Sequence, residues 1–182
     1  MNRSCALLAT LALALSSPAA LASEWQVDPA ASTLEFDATQ GSQPFTGHFE
    51  RFSTAVTLDP QDLSTARISV EIDMGSAKTG AGDRDGALPT TEWFDTGNHP
   101  EATFTSNDVR EEGTGRYIAS GPLVIRGKRQ EIELPFTLEI TGDHALAQGA
   151  LTLDRTAFGV GSPGEGTAGE AVEVRFTLNA DR

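Results

Sequence analysis

The amino-acid sequence predicts an all-β fold of about eight antiparallel strands, interrupted once by a short helical unit. First, most of the chain after Ser23 alternates apolar and polar residues with a period of two, as strands with one apolar face do. Second, short links rich in Gly, Pro and Asp separate these segments, which favours an antiparallel meander. Third, residues 79–106 include a stretch that breaks this alternation and is compatible with helix.

The clearest strand covers residues 131–141. Its apolar positions alternate with polar ones without a slip, from Ile132 to Ile140. Pro135 lies within it and cannot donate a backbone hydrogen bond, so we expect a bulge there. Residues 67–73 and 172–178 alternate nearly as clearly. Five weaker strands are indicated by the pairs Leu34/Phe36, Val56/Leu58, Ala102/Phe104, Leu123/Ile125 and Leu151/Leu153.

Eight strands with one apolar face each must either stack as a sandwich or close into a barrel. A closed barrel of eight strands has an interior that side chains fill, or that holds one small ligand. Most phenylalanines fall on an apolar strand face or beside one. They therefore either fill a core or line an apolar tunnel, which would be roughly 20–25 Å long. The residues alone leave both interpretations open.

The helical unit is predicted as two short turns of helix, over residues 83–88 and 90–94. Pro89 separates them, in a position that suits the first residue of the second turn. Asp83, and Thr90 or Thr91, have side chains that commonly cap helix N-termini.

The first 22 residues have the pattern of a secretory signal peptide. Arg3 supplies the positive start, residues 6–15 are apolar except for one threonine, and residues 20–22 form an A-x-A cleavage site. We expect cleavage after Ala22, which leaves residues 23–182 as one domain. Cys5, the single cysteine, leaves with the signal peptide, so the mature chain has no thiol for disulfides, catalysis or metal binding.

The charge of the chain makes some partners unfavourable. Its 13 basic and 26 acidic residues give a net charge of −13, and loss of Arg3 makes it 12 − 26 = −14. Such a charge disfavours nucleic acids and anionic membrane surfaces. The alternating segments are also shorter than the roughly 9–11 residues that a membrane-spanning strand requires. Aromatic girdles are absent from the sequence, so we expect no integral membrane span in the mature chain.

The sequence gives little support for catalysis or metal binding. It contains no G-x-S-x-G nucleophile motif. His48, His99 and His144 lie far apart along the chain and lack the short spacings of common metal sites. We therefore expect no catalytic residues, no metal and no cofactor.

A set of short motifs follows one another along nearly the whole mature chain. The most specific stretch is 79–106, with Thr-Gly, Arg84-Asp85, Leu88, Trp93-Phe94-Asp95 and the Pro-x-Ala-x-Phe-x-Ser of residues 100–106. The other motifs are Val27-Asp28-Pro29, Phe45-Thr46-Gly47-His48-Phe49, Leu58-Asp59-Pro60, Gly121-x-Leu123-x-Ile125-x-Gly127, Leu134 with Phe136, and Arg155-x-x-Phe158. With this ordered set, the chain resembles the YceI-like family of lipid- and polyisoprenoid-binding proteins, in which residues 47–49 correspond to the family's G-x-F turn.

The resemblance implies an extended, eight-stranded antiparallel β-barrel, similar to lipocalins, that encloses an isoprenoid lipid or quinone in an apolar tunnel in the periplasm. The predicted ligand-binding residues are Phe36, Phe45, Phe49, Phe52, Phe104, Leu123, Ile125, Phe136, Leu138, Phe158 and Phe176. Leu134 and Ile140 share the same parity and are assigned to the tunnel or to a packed end.

Within the helical unit, we expect Trp93 and Phe94 to pack against one barrel end. Arg84 and Asp85 are expected to hold the unit by hydrogen bonds rather than to contact a head group. Two alternatives to a lipid carrier remain: an enzyme of lipid or quinone metabolism that uses the same cavity, and a non-binding envelope stress protein. The sequence also leaves open whether the protein is a monomer or a homodimer.

Overall fold

The β-sheet of this protein closes on itself into a barrel. The computed structural model describes residues 24–161 and 168–182, and within them the chain is almost entirely β-structure. The strands are β1 (Glu24–Val27), β2 (Thr33–Gln40), β3 (Gln43–Phe49), β4 (Phe52–Thr57), β5 (Arg67–Asp73), β6 (Ala77–Lys78), β7 (Glu101–Thr105), β8 (Asp108–Gly113), β9 (Arg116–Ile125), β10 (Lys128–Thr141), β11 (His144–Asp154) and β12 (Ala171–Asp181).

The twelve strands make a barrel wall of eight long strands, because four of the long strands each consist of two consecutive segments. These are β1 with β2, β3 with β4, β5 with β6, and β7 with β8. For example, β7 and β8 both pair with β9, through Thr103↔Val124 and Asp108↔Ser120. Around the wall, each long strand is antiparallel to the next in chain order, from β1/β2 to β12. The predicted all-β, eight-stranded antiparallel barrel is confirmed.

The barrel closes where its first long strand meets its last. β12 pairs with β1 at Gln26↔Asp181 and Val27↔Ala180. The preceding part of β12, residues 173–177, pairs with β2. Closure pairs the strand edges that an open sheet would expose. It also separates one inner from one outer face, and the apolar residue of each alternating pair faces inward.

Seven of the eight predicted strands lie in β2, β5, β7 and β9–β12, and the eighth, predicted from Val56/Leu58, overlaps β4, which ends one residue before Leu58. The other four strands, β1, β3, β6 and β8, were not predicted from the sequence. These segments have four, seven, two and six residues. Each continues or precedes a predicted strand across a short break, so none shows a long alternating pattern of its own.

The predicted bulge at Pro135 is wrong. The pairing of β10 with β9 passes through Pro135↔Ile118 without a change of register. Pairing with β11 on the other side ends at Phe136↔Gly149, one residue after the proline. The Leu138 amide donates towards β9, to the Gly115 carbonyl oxygen at 2.9 Å. Since successive amides point to opposite sides, the Pro135 nitrogen faces β11, and the ladder ends there because no donor is available.

Residues 79–100, which we call the cap segment, connect β6 to β7 across one end of the barrel. This upper end also carries the β2–β3 and β9–β10 turns and the start of β12. The first predicted helical turn is confirmed as α1 (Gly82–Ala87), but its N-cap is Ala81, not Asp83. The second predicted helix does not form. The Phe94 amide bonds back to the Leu88 carbonyl oxygen at 2.9 Å, which coils the chain into consecutive turns.

The opposite, lower end is closed by apolar residues. The indole of Trp25 is buried there and donates from Nε1 to the Leu58 carbonyl oxygen at 2.9 Å. Leu58 is itself only 2% exposed. The Arg182 guanidinium lies 4.8 Å from the centre of the Trp25 ring. The lower end of the barrel is therefore closed by packed side chains.

The predicted signal peptide and its cleavage site after Ala22 lie outside the described residues. In the part of the chain that the structure describes, no helix has the length and apolar character needed to cross a membrane.

Gly121 provides a test of the strand packing. An alanine Cβ at this position of β9 would lie 2.1 Å from the carbonyl oxygen of Thr105, the last residue of β7. Backbone cannot move away cheaply, so we expect Gly121→Ala to lower the free energy of unfolding by about 1–3 kcal/mol. Chemical denaturation measures the change.

The matched control is Gly86→Ala, in α1, where a Cβ would meet no heavy atom within 4 Å. There alanine should raise stability by about 0.5–1 kcal/mol through its better helix propensity. Equal effects of the two substitutions would contradict the packing described at Gly121.

Candidate ligand-binding cavity

The barrel interior contains an apolar cavity of about 250 Å³. Strand alternation creates it, because every second residue of each strand points inward. Apart from Thr54 and Arg155, every described residue that lines the cavity is apolar. Charged residues of the same strands, such as Glu131 and Glu133 of β10, are exposed on the outer face. The interior is therefore suited to hydrocarbon.

All eleven residues that the sequence analysis assigned to ligand binding line this cavity. They are Phe36, Phe45, Phe49, Phe52, Phe104, Leu123, Ile125, Phe136, Leu138, Phe158 and Phe176. Leu134 lines it as well. Ile140 packs against the hydrophobic core and does not appear in the lining. The structure brings these side chains together, and their contact with a lipid stays a prediction.

Two of the phenylalanines lie over a glycine of the neighbouring strand. Phe36 pairs with Gly47, and a Cβ on that glycine would lie 2.2 Å from the Phe36 ring. Phe176 pairs with Gly149, where a Cβ would lie 2.7 Å from the ring. Gly47 therefore lies within β3, directly opposite an aromatic residue, and not in the G-x-F turn that the resemblance implied. Both rings rest against the wall, which leaves space in the lumen.

The cap segment closes the upper end of the cavity with apolar side chains. Leu88, Trp93 and Phe94 line the cavity from above, and the Phe94 ring lies 6.3 Å from that of Phe49. On the far side, the Arg126 guanidinium of the β9–β10 turn donates to the Thr91 carbonyl oxygen. Trp93 and Phe94 thus pack the helical unit against a barrel end, as expected from the sequence.

Arg84 and Asp85 fix the cap segment by hydrogen bonds, Asp85 within the segment and Arg84 to β2. The Asp85 carboxylate accepts from the Thr79 amide at 2.7 Å and from the Thr79 hydroxyl at 2.6 Å. The Arg84 guanidinium donates to the Gln40 side-chain oxygen at 3.2 Å and lies 4.4 Å from the centre of the Phe45 ring. Neither side chain lines the cavity.

Arg155 is the only charged residue in the described lining, and its guanidinium donates hydrogen bonds to backbone carbonyl oxygens. The residue is 6% exposed. It donates to the carbonyl oxygens of Gly169 at 2.9 Å, Val160 at 2.5 Å and Ala168 at 2.6 Å. Its guanidinium also lies 5.5 Å from the centre of the Trp93 ring. These bonds connect the two described ends of the segment between β11 and β12. They also give the buried guanidinium hydrogen-bond acceptors, which lowers the cost of burying it.

Thr54 is the other polar residue of the lining. Its hydroxyl is buried and has no hydrogen-bond partner among the described residues. Neither Thr54 nor Arg155 was predicted from the sequence as a cavity residue. Thr54 could have been found by parity, because Phe52 and Val56 stand two residues before and after it. Arg155 follows β11 in a 3₁₀ turn, where no periodic pattern indicates the direction of a side chain.

Metal-ligand types do not cluster in the described part of the chain. No three His, Cys, Asp or Glu side chains there are grouped so that they could hold a metal ion. Several exposed acidic residues pair with arginines on the outer face instead, for example Asp37 with Arg175 at 2.9 Å.

A closed antiparallel barrel of eight strands around an apolar cavity defines a class of lipocalin-like proteins that can enclose a small apolar molecule. Within this class, the YceI-like domain matches residues 25–180, and the chain belongs to the YceI-like family.

Similar proteins cover most of the chain. A UPF0312 protein of Pectobacterium carotovorum subsp. carotovorum is 30% identical over 139 residues, which are 75% of this chain and 72% of that protein. The crystal structure of Burkholderia cenocepacia BcnA is 30% identical, with a TM-score of 0.80 over 85% of this chain and 99% of BcnA. A polyisoprenoid-binding domain from Saccharophagus degradans, implicated in plant cell wall breakdown, is 17% identical, with a TM-score of 0.68. That match covers 87% of this chain and 97% of the domain and shows a shared fold.

The stability of the cap segment should depend on acid, because the hydrogen bonds between Asp85 and Thr79 lie within it. Hydrogen bonds from the Thr79 side chain, then from its amide, hold the pKa of Asp85 below the ordinary value of 3.8. A lowered pKa in the folded state means that the carboxylate stabilises the fold fully above pH 3.8, and that this contribution is lost as pH falls through the lowered pKa. Asp85→Ala should therefore lower the Tm at pH 7, and the difference from the unmodified protein should shrink below pH 3.8.

Thermal unfolding between pH 7 and pH 2.5 measures this dependence. Asp83→Ala, which removes an exposed carboxylate from the same helix, should follow the acid profile of the unmodified protein. A constant difference between Asp85→Ala and the unmodified protein across the whole range would show that the Asp85 carboxylate does not hold the segment through its charge.

Proposed function

We propose that this protein is a periplasmic carrier that holds a polyisoprenoid, an isoprenoid quinone or a similar long apolar lipid inside its barrel. The observation that carries the proposal is the apolar lining of an interior cavity of about 250 Å³. Each methylene group that moves from water into such a lining contributes about 0.8 kcal/mol, so a chain of several isoprene units would bind well. The polyisoprenoid-binding domain of Saccharophagus degradans, which has the same fold, supports this choice of ligand.

The eleven predicted residues are proposed to contact the lipid. They line the cavity from Phe49, which lies next to Phe94 of the cap segment, to Phe136 on β10. Phe136 stacks on Tyr117 with the ring centres 5.5 Å apart, which fixes the orientation of this lining ring. A lining held in place by such packing favours binding, because little side-chain entropy remains to be lost.

Binding without catalysis is the role that this lining supports. General acid–base chemistry needs a group that changes its protonation state near the working pH. The described lining contains no His, Asp, Glu, Lys, Cys or Tyr side chain, the types that usually act as general acids or bases. The lining therefore offers less support for an enzyme that uses the same cavity.

Secretion to the periplasm is part of the proposal. It rests on the signal-peptide pattern of residues 1–22 and the A-x-A site that ends at Ala22. We propose that the mature protein starts at Ser23, only two residues before the YceI-like domain begins. Its acidic surface argues against nucleic acids as partners.

Native mass spectrometry of the mature protein, purified from the periplasm of its own host, tests both the function and the processing. We expect a chain that starts at Ser23 and carries a single apolar adduct, which lipid extraction then identifies as an isoprenoid or a quinone. A bare mass would be followed by addition of prenyl lipids. Failure to bind those as well would favour the non-binding stress-protein interpretation.

Filling the cavity from one wall should weaken lipid binding. Ala147 lines the cavity from β11, between its partners Leu138 on β10 and Leu178 on β12. We expect Ala147→Phe to weaken the affinity for a prenyl lipid by roughly tenfold or more, which is about 1.4 kcal/mol, because the new ring occupies ligand space. A lipid titration measures it.

The matched control is Gln148→Phe, which adds the same ring at the next residue of β11, on the exposed outer face. Its affinity should stay within about twofold of the unmodified protein. Equal losses in the two variants would place the lipid outside the barrel.

A further inference from the structure

Thr54 is a polar residue in an otherwise almost entirely apolar cavity lining. It stands on β4, between Phe52 and Val56 on the same face, and opposite Val70 on β5. Its hydroxyl is buried and makes no hydrogen bond to the described residues. A buried hydroxyl without a partner is unfavourable, and most buried polar groups in proteins have one. Valine has nearly the same shape and would fit this position without that penalty.

Arg155, the other polar residue of the lining, differs in this respect. Its guanidinium already donates to three backbone carbonyl oxygens, at 2.5 to 2.9 Å. An anionic head group would have to compete with those bonds. The Thr54 hydroxyl, in contrast, can donate to an incoming acceptor without breaking any contact between described residues.

The barrel wall also leaves room beside Thr54. The first long strand is interrupted here, since β1 ends at Val27 and β2 begins at Thr33. A smaller pocket of about 140 Å³ lies at this break. It shares Val27, Phe52 and Thr54 with the main cavity, and its other two lining residues, Pro29 and Ser53, are exposed.

We propose that Thr54 determines ligand specificity by donating a hydrogen bond to a neutral acceptor oxygen of the bound lipid, such as a quinone or other carbonyl oxygen. This inference rests on the proposed lipid-carrier function. It places the polar part of the ligand in the lower half of the barrel, since Thr54 is three residues from the lower end of β4 at Thr57. The hydrocarbon tail then extends towards Trp93 and Phe94 at the upper end.

The test compares two isoprenoid probes. A short-chain ubiquinone carries only acceptor oxygens, and squalene carries no oxygen at all. Trp25 and Trp93 both line the cavity, so quinone binding can be followed by quenching of their fluorescence, and squalene binding by competition with the quinone. We expect Thr54→Val to weaken ubiquinone binding about tenfold, because the oxygen loses its donor, and to leave squalene affinity unchanged or slightly tighter.

Two further variants control for structure. Thr54→Ser keeps the hydroxyl and should bind ubiquinone within about threefold of the unmodified protein, since a single hydrogen bond is retained. Thr105→Val makes the same substitution on the exposed face of β7 and should change neither affinity.

The possible failures are distinguishable. If Thr54→Val bound ubiquinone as tightly as the unmodified protein, or lost the same factor for both probes, the role of Thr54 would be overturned while the carrier function stood. If the unmodified protein bound only geranylgeranyl phosphate among added prenyl lipids, an anionic head group would replace the neutral acceptor. If it bound no prenyl lipid, the carrier function and this inference would fail together.

Discussion

The pairing of β12 with both β1 and β2 is the constraint on which the rest of the structure depends. It closes the sheet and thereby decides which side of every strand is interior. Along β12, Val174 and Phe176 face the lumen, whereas Arg175 between them pairs with Asp37 of β2 on the outside. A shift of one residue would turn Arg175 into the cavity and Phe176 to the solvent. The outer ion pairs and the inner apolar lining thus select the same register.

The two ends of the barrel are closed by different kinds of interaction. At the lower end, Trp25 is buried against Leu58 and donates one hydrogen bond to its carbonyl oxygen. At the upper end, arginines bond to backbone: Arg155 to the segment before β12, and Arg126 to the cap segment. Carbonyl oxygens are acceptors that any sequence provides. The closure of the upper end therefore depends on the positions of the arginines, and less on the identity of the residues whose carbonyl oxygens they bind.

The wall of the barrel could be predicted from the sequence because alternation is a local pattern. Ile132, Leu134 and Phe136 show it without interruption, and all three line the cavity. Features that depend on neighbouring strands could not be predicted in this way. The end of the β10–β11 ladder at Pro135 reflects which neighbour its nitrogen faces, and the position of Phe36 over Gly47 depends on the register of two strands. Thr54 shares the inward parity, but its missing partner becomes visible only when its surroundings are known.

A packed core and a ligand cavity differ in energy, and the structure favours the cavity. Protein interiors normally leave few voids larger than a water molecule. At about 24 cal/mol per Å³, an apolar cavity of about 250 Å³ costs on the order of 6 kcal/mol, comparable with the whole stability of many domains. Larger side chains could reduce this cost, yet alanines line the wall at Ala102, Ala145 and Ala147, and Phe36 and Phe176 rest on glycines. A lipid that fills the space removes the same cost, so part of its binding free energy comes from the unfavourable cavity itself.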